Sequence, residues 1–359
     1  MIEDDLRRSF AQHETLTPDP GPVRSAIDTM VVRRRRRQLK VRAAGTALAV
    51  LLAVLVPVVG RDLVATPESA PVGGPSVVTP PAVVLPDTAL NFLLIGVDGQ
   101  LVADTGNRAD SMTIVHIPRD RSRVYLISLP RDLGVEIPGH GFNKLNAAFL
   151  YGSLRPGAKP DMSGGLQLTV RTVAELTGLR VDGSAVLTFS GLRTLTDAVG
   201  GVKICLPEQV KSIHTGRLFP ADCQQLDGAA ALDLLRQRVT LRQGAHDRDR
   251  NGHLFLQALV AKLASGGIGN DPAKLLAILQ TVGDGAVVDT GDLPPVDLFV
   301  AFQGPAAKSV GIGWPDRTQT SDEKRAGTLD PAGGASLFTA LRQDAVADWA
   351  AKNREFVTS

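Results

Sequence analysis

Residues 90–99 read LNFLLIGVDG. The first eight form a near-continuous apolar run, the pattern of a strand buried on both faces, because a half-buried strand alternates polar and apolar residues. The run closes on a carboxylate and a glycine. Open α/β sheets place their sites at the carboxyl ends of strands, so Asp98 is the first candidate functional residue.

Downstream, short apolar runs and turn signals alternate. Residues 112–117 and 124–128 read as further strands, with PRDRSR (118–123) as the tight turn between them. Helices are expected over 143–151 and 165–177, and strands over 185–189 and 202–204 flank a helix over 192–199. Residues 227–238 (DGAAALDLLRQR) predict a helix whose leading Asp and trailing Arg suit its dipole. Amphipathic helices are expected over 252–264 and 272–282. The order predicts an α/β fold: a mixed central sheet flanked by helices on both faces.

Upstream the character changes. Residues 43–60 (AAGTALAVLLAVLVPVVG) carry no ionisable side chain. About 18 apolar residues is close to the shortest helix that spans a bilayer. Arg33 to Arg37, Lys40 and Arg42 precede the run, which places that side in the cytoplasm by the positive-inside rule. A polar stretch of this length before the run exceeds a signal peptide, so an uncleaved anchor is expected. Residues 61–87 are rich in Pro, Gly, Ser and Thr and read as a semi-extended linker. The expected division is a cytoplasmic tail (1–42), a transmembrane helix (43–60), a linker (61–87) and an extracytoplasmic domain (88–359), so the protein sits in the cell membrane as a single-pass chain. The tail shows no helix-turn-helix, and no nucleic-acid partner is expected.

The formal net charge of +2 in 359 residues excludes little, and scarce aromatics require a largely aliphatic core. Cys205 and Cys223 are the two cysteines, both in the expected external part. An oxidising location permits a disulfide between them; two separate buried thiols, or a metal pair without further ligands, are the alternatives.

Four clusters could carry chemistry. GVDG supplies Asp98; NRADSM supplies Arg108 and Asp110; SLPRD supplies Arg131 and Asp132, with Lys144 and Asn146 following in FNKLNAA. LLRQR supplies Arg236 and Arg238, and HDRDR supplies Asp247, Asp249 and Arg250. Singly, each reads as a turn or a solvated ion pair. Together, guanidinium forks suit phosphate oxygens, and paired carboxylates suit Mg²⁺. There is no Gly-rich phosphate loop, zinc-ligand spacing or nucleophile elbow, which excludes a P-loop NTPase, a zinc hydrolase and a serine hydrolase.

These pieces in order, NFLLIGVD, NRADSMTIVHI, VYLISLPRDLGVEIPGHGFNKLNAAFLYG, LTDAVGGVKICLPE, LDGAAALDLLRQR and HDRDR, resemble the LytR-CpsA-Psr family. The resemblance implies a transferase that moves a glycopolymer from a polyprenyl-pyrophosphate carrier to a peptidoglycan acceptor through a phosphodiester. It also implies Mg²⁺, with Mn²⁺ as an alternative, on Asp98 and Asp110. Arg108, Arg131, Lys144, Asn146, Arg236, Arg238 and Arg250 would contact the substrate, and Asp247 would orient or deprotonate the acceptor hydroxyl. Where the family usually continues with Arg-Gln after the DxxR of Asp247 and Arg250, this chain has His253 and Leu254. His253 is either a protonated substitute or an ordinary helix residue. A polyprenyl-pyrophosphate hydrolase and a non-catalytic carrier-binding regulator are the competing functions.

Overall fold

The computed structural model describes residues 86–99, 108–155, 160–239, 241–242, 244–265, 272–291, 309–315 and 331–358. The expected tail, transmembrane helix and nearly all of the linker lie outside them. Among the described residues no helix is long and apolar enough to cross a membrane.

In chain order, β1 (Leu90–Val97), β2 (Ala109–Ile117) and β3 (Val124–Leu129) form an antiparallel meander. The hairpin β4 (Gly134–Ile137) and β5 (Gly141–Lys144) leads into α1 (Asn146–Ser153) and α2 (Met162–Thr177). β6 (Gly183–Thr188) lies parallel to β1, and α3 (Phe189–Ala198) follows at once. β7 (Val202–Cys205) is succeeded by the short hairpin β8 (Val210–Lys211) and β9 (Leu218–Phe219). β10 (Cys223–Leu226) then returns to pair with β7. Helices α4 (Gly228–Leu235), α5 (Ala245–Ser265) and α6 (Pro272–Val282) come next. β11 (Ala286–Asp289) and β12 (Ser309–Ile312) precede α7 (Ala335–Arg342), α8 (Val346–Lys352) and β13 (Val357–Thr358).

The described central sheet has seven strands in the order β11-β6-β1-β2-β3-β12-β13 and is mixed. β1, β3 and β6 run one way and β2 the other. The carboxyl ends of three strands and the amino end of β2 therefore meet at one edge, and the functional clusters gather there.

Both faces of the sheet are covered. Leu93, Ile95 and Val97 of β1 pack with Phe149, Leu166, Val173, Trp314, Phe338 and Trp349 on one side. On the other, Leu195, Leu234, Phe255, Leu259 and Ile278 form a second apolar cluster beneath α3 to α6. Each face buries aliphatic area at roughly 25 cal/mol per Å², which suits a chain poor in aromatics.

Several expected boundaries move. The strand over 202–204 forms, but it belongs to a separate two-stranded ribbon with β10, with Cys205 directly opposite Cys223; the two are disulfide-bonded. Residues 143 and 144 belong to β5, so the helix expected from 143 begins at Asn146. The helix over 227–238 stops at Leu235. There the Gln237 side chain donates to the Asp233 carbonyl at 2.7 Å, taking the acceptor that the next helical N–H would use. The helix expected from 252 starts at Ala245.

Candidate functional site

β1 ends at Val97, leaving Asp98 on the sheet edge, with Gly99 at φ +76° turning the chain away. A Cβ on Gly99 would lie 2.8 Å from Thr188 Cβ at the end of β6, so glycine permits this close approach as well as the turn. Asp110 reaches the same edge through an irregularity. Gly96 pairs with Ser111 and Val97 with Ala109, so Asp110 is the extra residue of a β-bulge. The bulge turns two consecutive side chains, Asp110 and Ser111, toward one face while Ala109 stays in the opposite core.

Arg131 stands in the turn after β3, closed by Leu133 N–H donating to the Pro130 carbonyl at 3.1 Å. Its Nη1 donates to Asp110 Oδ1 at 3.1 Å and its Nε lies 3.5 Å from Asp132. Lys144 Nζ donates to Asp132 at 2.9 Å. Burial raises the Asp132 carboxyl, but Lys144 and Arg131 outweigh it and hold the group below the usual carboxylate range. Asp132 and Lys144 thus form a rack that aims Arg131 at Asp110.

Arg236 and Arg238 follow the C-terminus of α4. Gly228 at its start sits so close to α3 that a Cβ would fall 2.2 Å from the Arg193 carbonyl, and Asp227 caps the helix by accepting from Ala230 N–H at 2.7 Å. Arg236 lies over the Phe189 ring at 5.5 Å, a cation–π contact. Arg238 Nη2 is 3.5 Å from Asp110 Oδ1. Burial, then repulsion from Arg248 and Arg131, lowers Arg238 to about 10, so it remains cationic at neutral pH.

These groups line one cavity of about 500 Å³. Asp98, Asp110, Arg131, Arg236, Arg238, Arg248 and Asp249 line it with charge; Leu94, Leu187, Phe189, Leu192, Leu235, Phe255, Leu256 and Leu259 supply a largely apolar remainder that also carries Ser128 and His253. A cavity with a charged cluster and a largely apolar remainder suits a ligand with an anionic head and a hydrocarbon tail. Among the described residues no three His, Cys, Asp or Glu gather as a metal cage. The carboxylates on the wall are Asp98, Asp110 and Asp249, and the expected pair, Asp98 and Asp110, has the oxygen chemistry that fits Mg²⁺, an ion that binds through one or two carboxylates and completes its shell with phosphate and water.

Five expected site residues are not on the cavity wall. Lys144 supports Arg131 through Asp132. Asn146 is buried and accepts from Arg108 Nη1 at 3.4 Å, which ties Arg108 to the start of α1. Asp247 is buried and paired with Arg250 at 3.0 Å, and Arg250 also donates to Glu208 at 2.9 Å. The face of α5 that meets the cavity carries Arg248, Asp249, Gly252 and Leu256 instead. Sequence reading passed over Arg248 because it began this helix at 252. Extended back to 245, the helical spacing 248-252-256-259 is the signal that finds it.

His253 is not a protonated substitute. It is buried, its Nε2 meets Ser128 Oγ at 2.9 Å and its Nδ1 meets Thr358 Oγ1 at 3.2 Å. Two hydroxyl partners satisfy either neutral tautomer, and burial lowers its pKa to about 4. It packs where a Cβ on Gly311 would stand 2.4 Å from Nδ1. It is a buried histidine of α5 that also lines the cavity.

Comparison with known proteins identifies the family and the fold. The model of the LytR_cpsA_psr family matches residues 72–291, more than half of the chain. The chain is 34% identical over 226 residues to LcpB of Corynebacterium glutamicum, named as a probable cell wall biosynthesis protein, covering 58% of this chain and 51% of that protein. It is 33% identical over 178 residues to the polyisoprenyl-teichoic acid–peptidoglycan teichoic acid transferase TagU of Oceanobacillus iheyensis, covering 49% and 52%. The chain spans about half the length of these curated relatives. Among solved structures, TagV of B. subtilis superposes with a TM-score of 0.55 at 19% identity, over 73% of this chain and 98% of that one. TagT bound to LI-WTA gives 0.53 at 23%, over 72% and 90%. At these identities the structural likeness shows the shared fold.

Proposed function

The chain belongs to the LytR-CpsA-Psr family, and from that premise we propose that it transfers a glycopolymer from a polyprenyl-pyrophosphate carrier to peptidoglycan in cell wall biogenesis. The observation that carries this reading is the single cavity with both characters, a charged cluster of guanidinium and carboxylate and a largely apolar remainder. The named relatives that act on polyisoprenyl-linked teichoic acid and peptidoglycan support it.

In this reading the pyrophosphate lies at the charged cluster and the polyprenyl chain runs along the apolar wall. The acceptor hydroxyl attacks the phosphorus bonded to the glycan. A P–O bond to the acceptor forms, the bridging P–O bond breaks, and polyprenyl phosphate leaves with the electron pair. Arg131 and Arg238, held beside Asp110, turn their remaining N–H groups to the non-bridging oxygens and neutralise charge on the leaving phosphate. Arg236, steadied on Phe189, adds a third cation. Asp249, on the wall and paired with Arg248 at 3.2 Å, accepts the hydroxyl proton at a carboxylate oxygen in this reading, while Asp247, buried and paired with Arg250, lies off the wall. Asp98 and Asp110 would hold Mg²⁺ or Mn²⁺, which supplies Lewis-acid neutralisation of the pyrophosphate.

We place this domain outside the cell membrane, on a single-pass anchor at 43–60 with the N-terminus cytoplasmic. The support is the apolar run with its basic flank, together with a disulfide that persists in an oxidising compartment.

The test is transfer by the full chain from a synthetic polyprenyl-pyrophosphate glycan to peptidoglycan oligomers, with Mg²⁺, with chelator, and with Asp98→Ala. Metal-dependent product that the variant loses is the expected result. Polyprenyl phosphate released without transfer would mean a hydrolase, and tight binding without turnover a carrier-binding protein.

A further inference from the structure

Among the described residues, five large apolar side chains stay exposed: Phe142, Leu154, Ile213, Leu218 and Val239. Two of them, Ile213 and Val239, stand at the cavity, and a third, Leu218, is on the ribbon whose turn carries Ile213. Ile213 N–H donates to Gln237 Oε1 at 2.9 Å, which fixes the β8–β9 turn beside the segment bearing Val239. Leu218 stands on β9, paired with Lys211 across the ribbon. Their exposures are 53%, 52% and 75%, too high for side chains that merely close a core. Exposed apolar groups gathered at one place mark a surface that meets a partner.

The turn that carries them is rigidly framed. Ser212 Oγ donates to Asp233 Oδ1 at 2.7 Å, and Thr215 Oγ1 donates to Asp233 Oδ2 at 2.5 Å. Ser212 N–H donates to the Arg217 carbonyl at 2.8 Å. The charge is predominantly cationic, with Glu208 beside Arg242 at 3.9 Å as a neighbouring carboxylate. Residues 209–219 (QVKSIHTGRLF) and 236–242 (RQRVTLR) carry Lys211, Arg217, Arg236, Arg238 and Arg242, and no carboxylate. Apolar tips set among cations are the composition of a surface that rests in a bilayer interface and meets anionic headgroups.

We propose that the cavity mouth docks on an anionic lipid bilayer. Ile213, Leu218 and Val239 enter the interface, and Lys211, Arg217 and Arg242 meet the headgroups. The apolar wall of the cavity then opens onto the acyl region, and a hydrocarbon chain passes from bilayer to site without crossing water. Only this last consequence rests on the transfer reading; the docking rests on the surface itself.

The test uses the full chain reconstituted into phosphatidylcholine–phosphatidylglycerol vesicles with brominated acyl chains. The native Trp314 and Trp349 are buried and supply a constant background. Leu218→Trp is the reporter, and Phe142→Trp, on β5 away from the cavity wall, is the reference. The expected result is blue-shifted emission and strong bromine quenching for Leu218→Trp, with the reference near the parent protein. Adding Lys211→Glu and Arg217→Glu to the reporter reduces the quenching. Equal quenching at the two positions, or quenching that the charge reversal leaves unchanged, overturns the proposal. The readout needs no turnover, so a protein that docks but fails to transfer argues against the reaction and not against the surface.

Discussion

Two Arg–Asp clusters of this molecule look alike in the sequence and differ in the fold. At the cavity, Asp110 keeps 31% of its side-chain surface exposed and accepts from Arg131 and Arg238. On α5, Asp247 keeps 1% and is held by Arg250, whose second hydrogen bond goes to Glu208. In the first cluster the guanidinium groups of Arg131 and Arg238 meet Asp110 on the wall of the cavity, where an incoming anion can reach their other N–H groups. In the second, Asp247 and Arg250 lie off the cavity wall, and Glu208, which Arg250 also meets, is shared with Arg242. The difference in position separates a cluster open to a ligand from a joint that fixes a helix.

The comparison can be broken in four ways. Arg131→Ala removes a cation from the polar part of the cavity. Losing one such donor costs about 3–4 kcal/mol of transition-state stabilisation, so transfer should fall by two to three orders of magnitude while the melting temperature holds. Unchanged transfer would show that Arg131 faces nothing reactive. Arg250→Ala should do the reverse. It leaves Asp247 buried without that partner and costs about 3 kcal/mol of stability, the low end for breaking a buried pair because Arg250 is partly exposed. Denaturant unfolding measures it, and a neutral result would make this cluster ornamental.

Reduction of the Cys205–Cys223 bond, which closes a loop of 18-residue separation, should lower stability by about 3 kcal/mol. It loosens the ribbon that leads into α4 and its arginines. An unchanged melting temperature with both thiols titrating before reduction would reject the bond. His253 supplies the smallest effect. Its folded pKa of about 4 lies below the ordinary 6.5, so the unfolded chain binds more protons between these values. Its contribution is therefore full above pH 6.5 and fades as pH falls toward 4, by at most about 3 kcal/mol. In His253→Gln this slope should vanish. Parallel melting curves for the two proteins between pH 7 and 4.5 would remove the assignment.

Much of the fold was legible because β1 is apolar along its length and has to be buried on both faces. β11, β12 and β13 were not legible: four or two residues carry no readable period, and their partners in the sheet are distant in sequence. The site was legible as residue types at strand ends, since Asp98, Asp110, Arg131, Arg236 and Arg238 do converge. Which arginines keep donors for a ligand was not, because that depends on partners such as Glu208, supplied from a different element. The Asp110 bulge was likewise hidden, since one extra residue in a pairing leaves no mark on hydropathy.

The most direct test of the cavity cluster is equilibrium binding of a short-chain polyprenyl pyrophosphate to the detergent-solubilised full chain, wild type beside Arg238→Ala. Loss of a charge-assisted hydrogen bond predicts affinity weaker by about tenfold or more, with binding by the wild type abolished when the pyrophosphate is replaced by an uncharged head. Equal affinities for the two proteins would contradict the account, because the anionic head would then lie somewhere other than between Asp110 and its arginines.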